Sequence, residues 1–230
     1  MLRIENLLVA YGDNIVLKNL RIQFAEGEIH GVLGMNGTGK TTFFNTLYGF
    51  VPSQQGQCLY QDQPVQNRSI AYLETHNYFY PYMNGREYLR LLSLSNPDFA
   101  IDEWNLIFDL PLEVLVENYS TGMKKKLAFL GMLALDRPIL ILDEPFNGVD
   151  IESNEKIYQI LKRIKGQGKI ILLSSHIISS LTGICDRISY LSGGHFARTY
   201  LREEYAELEL LIKELVRQQI DPTLDRLMEG

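Results

Sequence analysis

The first 75 residues carry the hydrophobic pattern of β-strands. Apolar and polar side chains alternate over most of this part, which predicts strands with one buried face. The pattern changes to helical spacing only after Thr41, where Phe43, Phe44 and Leu47 recur three to four residues apart. The predicted strands are residues 2–12, 14–24, 26–34, 56–65 and 69–75.

Helical periodicity dominates residues 84–135, and we predict an inserted helical subdomain there. Strands and helices then alternate, which is typical of a mainly parallel α/β sheet. Residues 201–230 are predicted to be a helical tail whose amphipathic part packs on its own domain, although contact with a partner stays open. The strands predicted in this half are 137–145, 169–176, 186–194 and 195–201, and the helices are 150–168 and 177–185.

Length and charge narrow the possible classes of protein. A chain of 230 residues with 46% hydrophobic content fits a single domain over residues 1–230. The net charge of −6 argues against a broad nucleic-acid surface, because such surfaces are rich in Lys and Arg. The apolar runs are too short to cross a bilayer, and the first residues lack a signal peptide. Cys58 and Cys185 are therefore expected to be free thiols.

A glycine-rich loop follows the third predicted strand. Gly34, Gly39, Lys40 and Thr41 match the G-x-x-x-x-G-K-[ST] phosphate loop, between the strand and the helix that this motif requires. The glycines allow backbone N–H groups to surround a phosphate at the positive end of the helix. Lys40 is predicted to contact the β- and γ-phosphates, and the Thr41 hydroxyl is predicted to bind Mg²⁺.

Three polar side chains end buried strands of the predicted sheet. Asp143 follows four apolar residues and is expected to hold Mg²⁺ at the carboxyl edge of the sheet. Glu144 comes next and is the candidate to orient or deprotonate the attacking water. His176 follows another buried strand and is predicted to contact the γ-phosphate. The other histidines show no metal-ligand spacing and are expected to be structural or surface residues.

The ordered motifs, from the phosphate loop through "YSTGM", "ILILDEP" and "NGVD" to "LLSSH", resemble the ATP-binding subunits of ABC transporters over nearly the whole chain. The resemblance implies a P-loop NTPase fold with a mainly parallel core sheet, an antiparallel β region and the helical insert. It implies a Mg²⁺-dependent ATPase with Lys40, Glu144 and His176 at the catalytic centre. The ATP-binding residues it implies are Tyr11, which stacks on adenine, Val16, Asn36, Gly37, Thr38, Gly39, Lys40, Thr41 and Thr42.

The resemblance also implies partners. Two copies form a head-to-tail dimer, in which Ser120, Gly122 and Met123 of one copy contact the ATP of the other. Asp150 communicates between the copies. Separate transmembrane permease subunits bind the dimer, which places it in the cytoplasm on the inner face of the cell membrane, and no nucleic-acid partner is implied. Tyr-Ser-x-Gly-Met signatures look like those of bacterial exporters of drugs, peptide antibiotics or ions, which favours export.

One position departs from the family pattern. Thr75 stands where the family usually has Gln, a residue that touches Mg²⁺ and the attacking water, and Glu74 or a shifted register is a candidate to compensate. A regulatory subunit with weak ATPase activity therefore stays an alternative. So does an ATP switch that acts on ribosomes or DNA, although the chain lacks the second domain, coiled coils or zinc inserts of such relatives.

Two further segments have competing interpretations. The aromatic residues Tyr78, Phe79, Tyr80 and Tyr82 form either a docking groove for a permease helix or the core between the helical block and the sheet. Ser120 is a predicted N-cap. The three lysines at 124–126 that follow it are predicted to face solvent or neighbouring loops, and none of them is assigned a catalytic role.

Overall fold

A central six-stranded sheet organises the chain. The computed structural model describes the backbone of residues 1–228 and the side chains of residues 1–218 and Ile220. The strand order is β10-β9-β3-β8-β7-β6, and all neighbours are parallel except β9 and β10. The strands are β3 (Ile29–Leu33), β6 (Ile70–Leu73), β7 (Ile139–Asp143), β8 (Ile170–Ser175), β9 (Arg187–Ser192) and β10 (His195–Leu201).

The middle strands are buried on both faces. Every residue of β3, β7 and β8 is buried, which accounts for their continuous apolar runs. β3 lies between β8 and β9, so that Leu33 pairs with Ser175 on one side and Tyr190 on the other. The carboxyl ends of these strands therefore meet at one edge, and the predicted mainly parallel sheet is confirmed.

A second, antiparallel sheet packs against the first helix of the chain. Its order is β2-β1-β4-β5, with β1 (Leu2–Tyr11), β2 (Asn14–Phe24), β4 (Gln55–Tyr60) and β5 (Gln63–Pro64). The buried face of β1 packs with Phe43 and Phe44 of α1 (Lys40–Tyr48) and with Ile141 of the central sheet in one hydrophobic cluster. Helix α1 is thereby fixed between the two sheets, and the predicted antiparallel β region is confirmed.

Three helices lie between β6 and β7: α2 (Gly85–Leu92), α3 (Ile101–Asn105) and α4 (Thr121–Ala134). The amide of Glu87 donates to the Asn84 side chain and the Asn84 amide donates back, which fixes the start of α2. The helical periodicity predicted across residues 84–135 is interrupted after Asn105, where α3 ends. The Asn105 side chain bonds both the amide and the carbonyl of Leu110, which bends the chain out of the helix. The division into a helical subdomain and a single domain over residues 1–230 stays a prediction.

The last helices pack on the face of the central sheet opposite α1. They are α5 (Ile151–Lys165), α6 (Ile178–Thr182) and α7 (Tyr205–Met228). Leu201 pairs with Arg187 in the sheet, at the end of the strand predicted over 195–201, and helix α7 begins four residues later. The extent of the helical tail, from about residue 201, stays a prediction. Tyr205 and Leu208 of α7 are buried in the main core, as the packed interpretation requires. Residues 229–230 of the predicted tail lie outside the described residues. Among the helices described, none is both long enough and apolar enough to cross a membrane.

Candidate active site

The phosphate loop connects β3 to α1 and depends on its glycines. Gly37 and Gly39 have φ of 80° and 103°, in the left-handed region that favours glycine. A Cβ at Gly34 would lie 2.5 Å from Thr38 Oγ1 and 2.9 Å from Leu191 O. The first bond inside α1 runs from Phe43 N to Gly39 O at 2.8 Å, so the preceding amides of the first turn point out of the helix end. The loop has the geometry of an anion cradle.

Lys40 crosses this cradle from the start of α1. Its Nζ donates to Gly34 O at 2.7 Å and lies 3.8 Å from Glu144 Oε1. Burial lowers the pKa of Lys40, while the Glu144 and Asp143 carboxylates oppose that shift. The ammonium is therefore a buried positive charge at the mouth of the loop.

Asp143 is the last residue of β7 and is fully buried. Oδ2 accepts hydrogen bonds from the hydroxyls of Thr41 at 2.7 Å and Thr75 at 2.9 Å. Oδ1 accepts from Ser174, its register partner in β8. Three hydroxyls from three segments therefore fix the carboxylate beside the start of α1.

Glu144 leaves the strand with φ of 50°, in the left-handed region. Its amide donates to Ser174 Oγ at 3.0 Å, so one serine holds both neighbouring acidic residues. The carboxylate lies 2.9 Å from His176 Nδ1, and Asn147 Nδ2 donates to Oε2 at 3.4 Å. This unusual backbone conformation turns the Glu144 side chain toward the loop and away from the core.

The phosphate loop, Lys40, Glu144 and His176 line one cleft of about 510 Å³ at the carboxyl edge of the sheet, and Asp143 is not among its lining residues. Two predicted ATP-binding residues are not among the lining residues of this cleft. Tyr11 lies half-exposed at the end of β1, and the Thr38 hydroxyl donates to Met35 O within the phosphate loop. A cavity of the same volume lies beside Phe99 and Trp104, near the amino ends of β7 and β8, and contains none of the predicted site residues. The lining residues of the first cleft are Val16, Asn36, Gly37, Gly39, Lys40, Thr41, Thr42, Thr75, Glu144, Asn147 and His176.

Thr75 and Glu74 follow β6 into this region. The Thr75 hydroxyl is bonded to Asp143 and the residue lines the cleft. Glu74 is half-buried, and burial together with the charge of Asp143 raises the pKa of its carboxyl group. Thr75 therefore supports Asp143, and Glu74 is not among the lining residues.

The signature turn lies outside the cleft of its own chain. Ser120 is exposed and is the N-cap of α4, where its Oγ accepts from Met123 N at 3.2 Å. A Cβ on Gly122 would lie 3.2 Å from Gly148 O, so the turn packs closely against the loop before α5. Asp150 caps α5 by accepting from the amide and hydroxyl of Ser153, and these bonds lower its pKa to about 2.

The three lysines of α4 do not share one environment. Lys124 Nζ donates to Glu117 O at 3.3 Å, and Lys126 Nζ donates to Ser153 Oγ at 3.3 Å. Lys125 also faces a neighbouring loop, since its Nζ donates to Thr75 O after β6 at 3.4 Å, but unlike the other two lysines it is buried, with 5% exposure. Lys125 lies at helical spacing from the buried Ala128, Phe129 and Met132, in a helix whose residues 127–134 are all buried.

Sequence reasoning missed two other residues of the site. Asn147 lines the cleft and bonds Glu144, and the sequence gives no signal for it. Ser174 bridges Asp143 and Glu144 from β8. A polar residue at the end of an otherwise apolar strand could have identified Ser174, because polar groups buried at that edge need partners.

The residues present fit a magnesium nucleotide. Thr41 and Asp143 place two oxygen atoms 2.7 Å apart beside the phosphate cradle, and Mg²⁺ prefers oxygen ligands. In the described part of the chain, no cluster of three or more His, Cys, Asp or Glu side chains is placed to hold a metal ion. A divalent cation here would therefore take its remaining ligands from phosphate oxygens and water.

Comparison with known proteins agrees with this geometry. The family described as "ABC transporter" matches residues 17–147. The chain is 26% identical to the ABC transporter ATP-binding protein YtrB of Bacillus subtilis, over 98% of this chain and 83% of YtrB. It is 28% identical to the lantibiotic transport ATP-binding protein SrtF of Streptococcus pyogenes, over 96% of this chain and 97% of SrtF. A solved ATP-binding subunit of an ABC transporter shares the fold, with a TM-score of 0.83, 24% identity and coverage of 96% and 93%.

Proposed function

The chain belongs to the ABC transporter family, and on that premise we propose that it is the ATP-hydrolysing subunit of an exporter whose transmembrane subunits are separate chains. The observation that carries the proposal is the single cleft that joins the phosphate cradle to Lys40, Glu144 and His176, with Asp143 fixed directly behind it. A cradle alone would bind phosphate. A buried carboxylate beside it supplies the additional group that hydrolysis requires.

The loop and Lys40 bind the nucleotide in this proposal. The amides of the first turn of α1 donate to phosphate oxygens, and the Lys40 ammonium neutralises the charge that develops on them. Thr41 and Asp143 would hold Mg²⁺, which supplies Lewis-acid stabilisation to the phosphates when bound. Val16 lines the same cleft and is the candidate to contact the base, with Tyr11 at the end of β1 as the candidate to stack on adenine.

Glu144 acts on the attacking water. Its carboxylate is held from two sides by His176 and Asn147, and this fixes its direction relative to Lys40 across the cleft. Glu144 accepts the proton of the water as general base. His176, whose other ring nitrogen stays available, contacts the γ-phosphate. Because phosphoryl transfer depends chiefly on positioning and charge, these fixed contacts are the contribution of the protein.

Dimerisation completes the site in this proposal. Ser120, Gly122 and Met123 are not among the residues lining the cleft of their own chain, and Ser120 is exposed. They are therefore available to the ATP of a second copy in a head-to-tail pair. Asp150 connects the copies from the start of α5, where it also receives Lys126 at 3.5 Å.

Membrane partners dock beside the Thr75 segment in this proposal. Tyr78, Tyr80 and Tyr82 are 72%, 56% and 82% exposed, whereas Phe79 packs on Tyr88 and the main core. The aromatic run thus divides into one core ring and three exposed rings that suit a permease helix. The subunit would then lie in the cytoplasm, peripheral to the inner face of the membrane. The lantibiotic transport relative and the Tyr-Ser-x-Gly-Met signature both favour export.

A slow ATPase with a regulatory role is the second candidate. The observation that favours it is the Thr75 hydroxyl, which is bonded to Asp143 and so is not directed toward an attacking water. The steady-state turnover number decides between the two candidates. A rate above about 1 s⁻¹, within the ordinary enzyme range, supports the transport motor, and a far lower rate supports the regulatory subunit.

The proposal is tested with the Glu144→Gln variant. Phosphate release in Mg²⁺-ATP should fall at least about a hundred-fold, the typical contribution of a general base. The same variant should elute as a dimer in ATP and as a monomer in ADP on size exclusion. Glu203→Gln, at an exposed glutamate before α7, is the matched control and should behave as the parent. Hydrolysis at the parental rate by Glu144→Gln would disprove the base assignment, and a monomer in ATP would disprove the dimer.

A further inference from the structure

The buried lysine of α4 has no role in the proposed mechanism. Lys125 is one of two buried lysines among the described side chains, the other being Lys40, and the buried carboxylates are Asp143 and Glu144. A buried ammonium is costly unless it is paired or hydrogen-bonded. Lys40 approaches the carboxylates from the phosphate loop. Lys125 belongs to the helix that carries Ser120 and Gly122, so it approaches them from the helical block.

Thr75 links this lysine to the Mg²⁺ carboxylate. Its carbonyl oxygen accepts from Lys125 Nζ at 3.4 Å, and its hydroxyl donates to Asp143 Oδ2 at 2.9 Å. The same Asp143 oxygen accepts from Thr41 at 2.7 Å. One short chain of bonds therefore runs from α4 through Thr75 and Asp143 to the first turn of α1.

The electrostatic environment explains why a lysine is tolerated there. Burial lowers the pKa of Lys125, and the charges of Asp143 and Glu144 act in the opposite direction. The ammonium is therefore placed where two carboxylates favour its charged form. Lys124 and Lys126, on either side in the sequence, bond groups outside this network.

We propose that Lys125 is a positioning residue for the Mg²⁺ site: from α4 it holds the Thr75 backbone, so that the Thr75 hydroxyl stays on Asp143. The inference rests on the proposed function and deepens it. Thr75 stands where the family pattern has a longer Gln, and its hydroxyl supports the metal carboxylate instead. Lys125 fixes that support. The helix that presents the signature turn is thereby tied to the carboxylate edge of the same chain.

The test is a Mg²⁺ titration of the full chain in the presence of a mant-labelled, non-hydrolysable ATP analogue. The quantity measured is the Mg²⁺ concentration at which the change in mant fluorescence is half complete. Lys125→Met should raise it about ten-fold, the lower end of the effect seen when a residue that holds a metal ligand is removed. Affinity for the analogue in EDTA should stay within two-fold of the parent. Lys124→Met is the matched control and should leave both values unchanged.

The direction in which the half-saturating Mg²⁺ concentration changes distinguishes a positioning role of Lys125 from a purely electrostatic effect of its charge. Removing a positive charge near Asp143 would, by Coulomb attraction alone, tighten Mg²⁺ binding and lower the half-saturating concentration. A lowered or unchanged value in Lys125→Met therefore overturns the inference. Lys125→Gln keeps a donor but no charge and should retain most of the parental affinity. If Lys125→Gln loses as much Mg²⁺ affinity as expected for Lys125→Met, the inference is also overturned. The Gln variant is the deciding measurement if Lys125→Met does not fold.

A double-mutant cycle identifies the route. Thr75→Val removes the hydroxyl and keeps the carbonyl, and it should also raise the half-saturating Mg²⁺ concentration about ten-fold. The double variant should stay near ten-fold, because both changes break the same chain of bonds. A hundred-fold loss would show independent action and overturn the link. If the parent shows no Mg²⁺-dependent nucleotide binding, the proposed function itself fails. If the parent binds the nucleotide in a Mg²⁺-dependent way and Lys125→Met has the same half-saturating Mg²⁺ concentration, only the role of Lys125 is overturned.

Discussion

Ser174 offers the sharpest test of how the acidic pair is held. It is fully buried in β8, accepts from the Glu144 amide at 3.0 Å and donates to Asp143 Oδ1. Ser174→Ala removes a hydrogen bond to a carboxylate, which typically contributes about 1.5–3 kcal/mol, and leaves a buried amide without its partner, which costs about 1–3 kcal/mol. Since the two effects overlap, we expect the free energy of unfolding to fall by about 3 kcal/mol.

The measurement is equilibrium unfolding in urea, supported by the melting temperature. For a chain of this size a loss of about 3 kcal/mol corresponds to a fall of about 6–12 °C. Ser189→Ala is the matched control, because Ser189 is a buried serine in β9 whose hydroxyl pairs with the neutral Thr199 hydroxyl at 2.8 Å. That bond should contribute only about 1 kcal/mol. If Ser174→Ala costs no more than Ser189→Ala, the serine does not organise the acidic pair.

The phosphate loop and the α5 cap give two further predictions. Gly34→Ala should weaken nucleotide affinity at least about ten-fold, because its Cβ would lie 2.5 Å from Thr38 Oγ1 and distort the cradle; Gly183→Ala, whose Cβ lies 3.8 Å from Ser179 O, should bind as the parent. Asp150→Asn should destabilise the protein most at neutral pH. The folded pKa of Asp150 is depressed to about 2, so its contribution is present above the unfolded pKa and is lost as the pH falls toward 2. Unfolding in urea at a series of pH values checks this, and a difference between parent and variant that does not shrink on acidification would contradict the assignment.

The local patterns of the sequence determined most of the elements. Apolar alternation and continuous runs identified the strands of both sheets, because burial on one or two faces leaves a direct trace in residue order. The phosphate loop was recognisable because its glycines and Lys40 are contiguous. Asp143 and His176 were assigned to one edge because each follows a buried strand, and parallel strands end at the same edge. The ends of helices leave a weaker trace in local pattern: α3 ends at Asn105, whose side chain bonds Leu110, inside the stretch with helical periodicity.

Only the tertiary structure decided which side chains support the site. Ser174, Thr75 and Lys125 lie 31, 68 and 18 residues along the chain from Asp143, yet two of them bond its carboxylate and the third bonds Thr75. Three adjacent lysines are equivalent by composition, but the direction of each around α4 sends one into the core and two outward. Sequence fixes the elements because their hydrogen bonds and periodicity are local. The charge network depends on how helix and sheet pack, and no short segment contains that information.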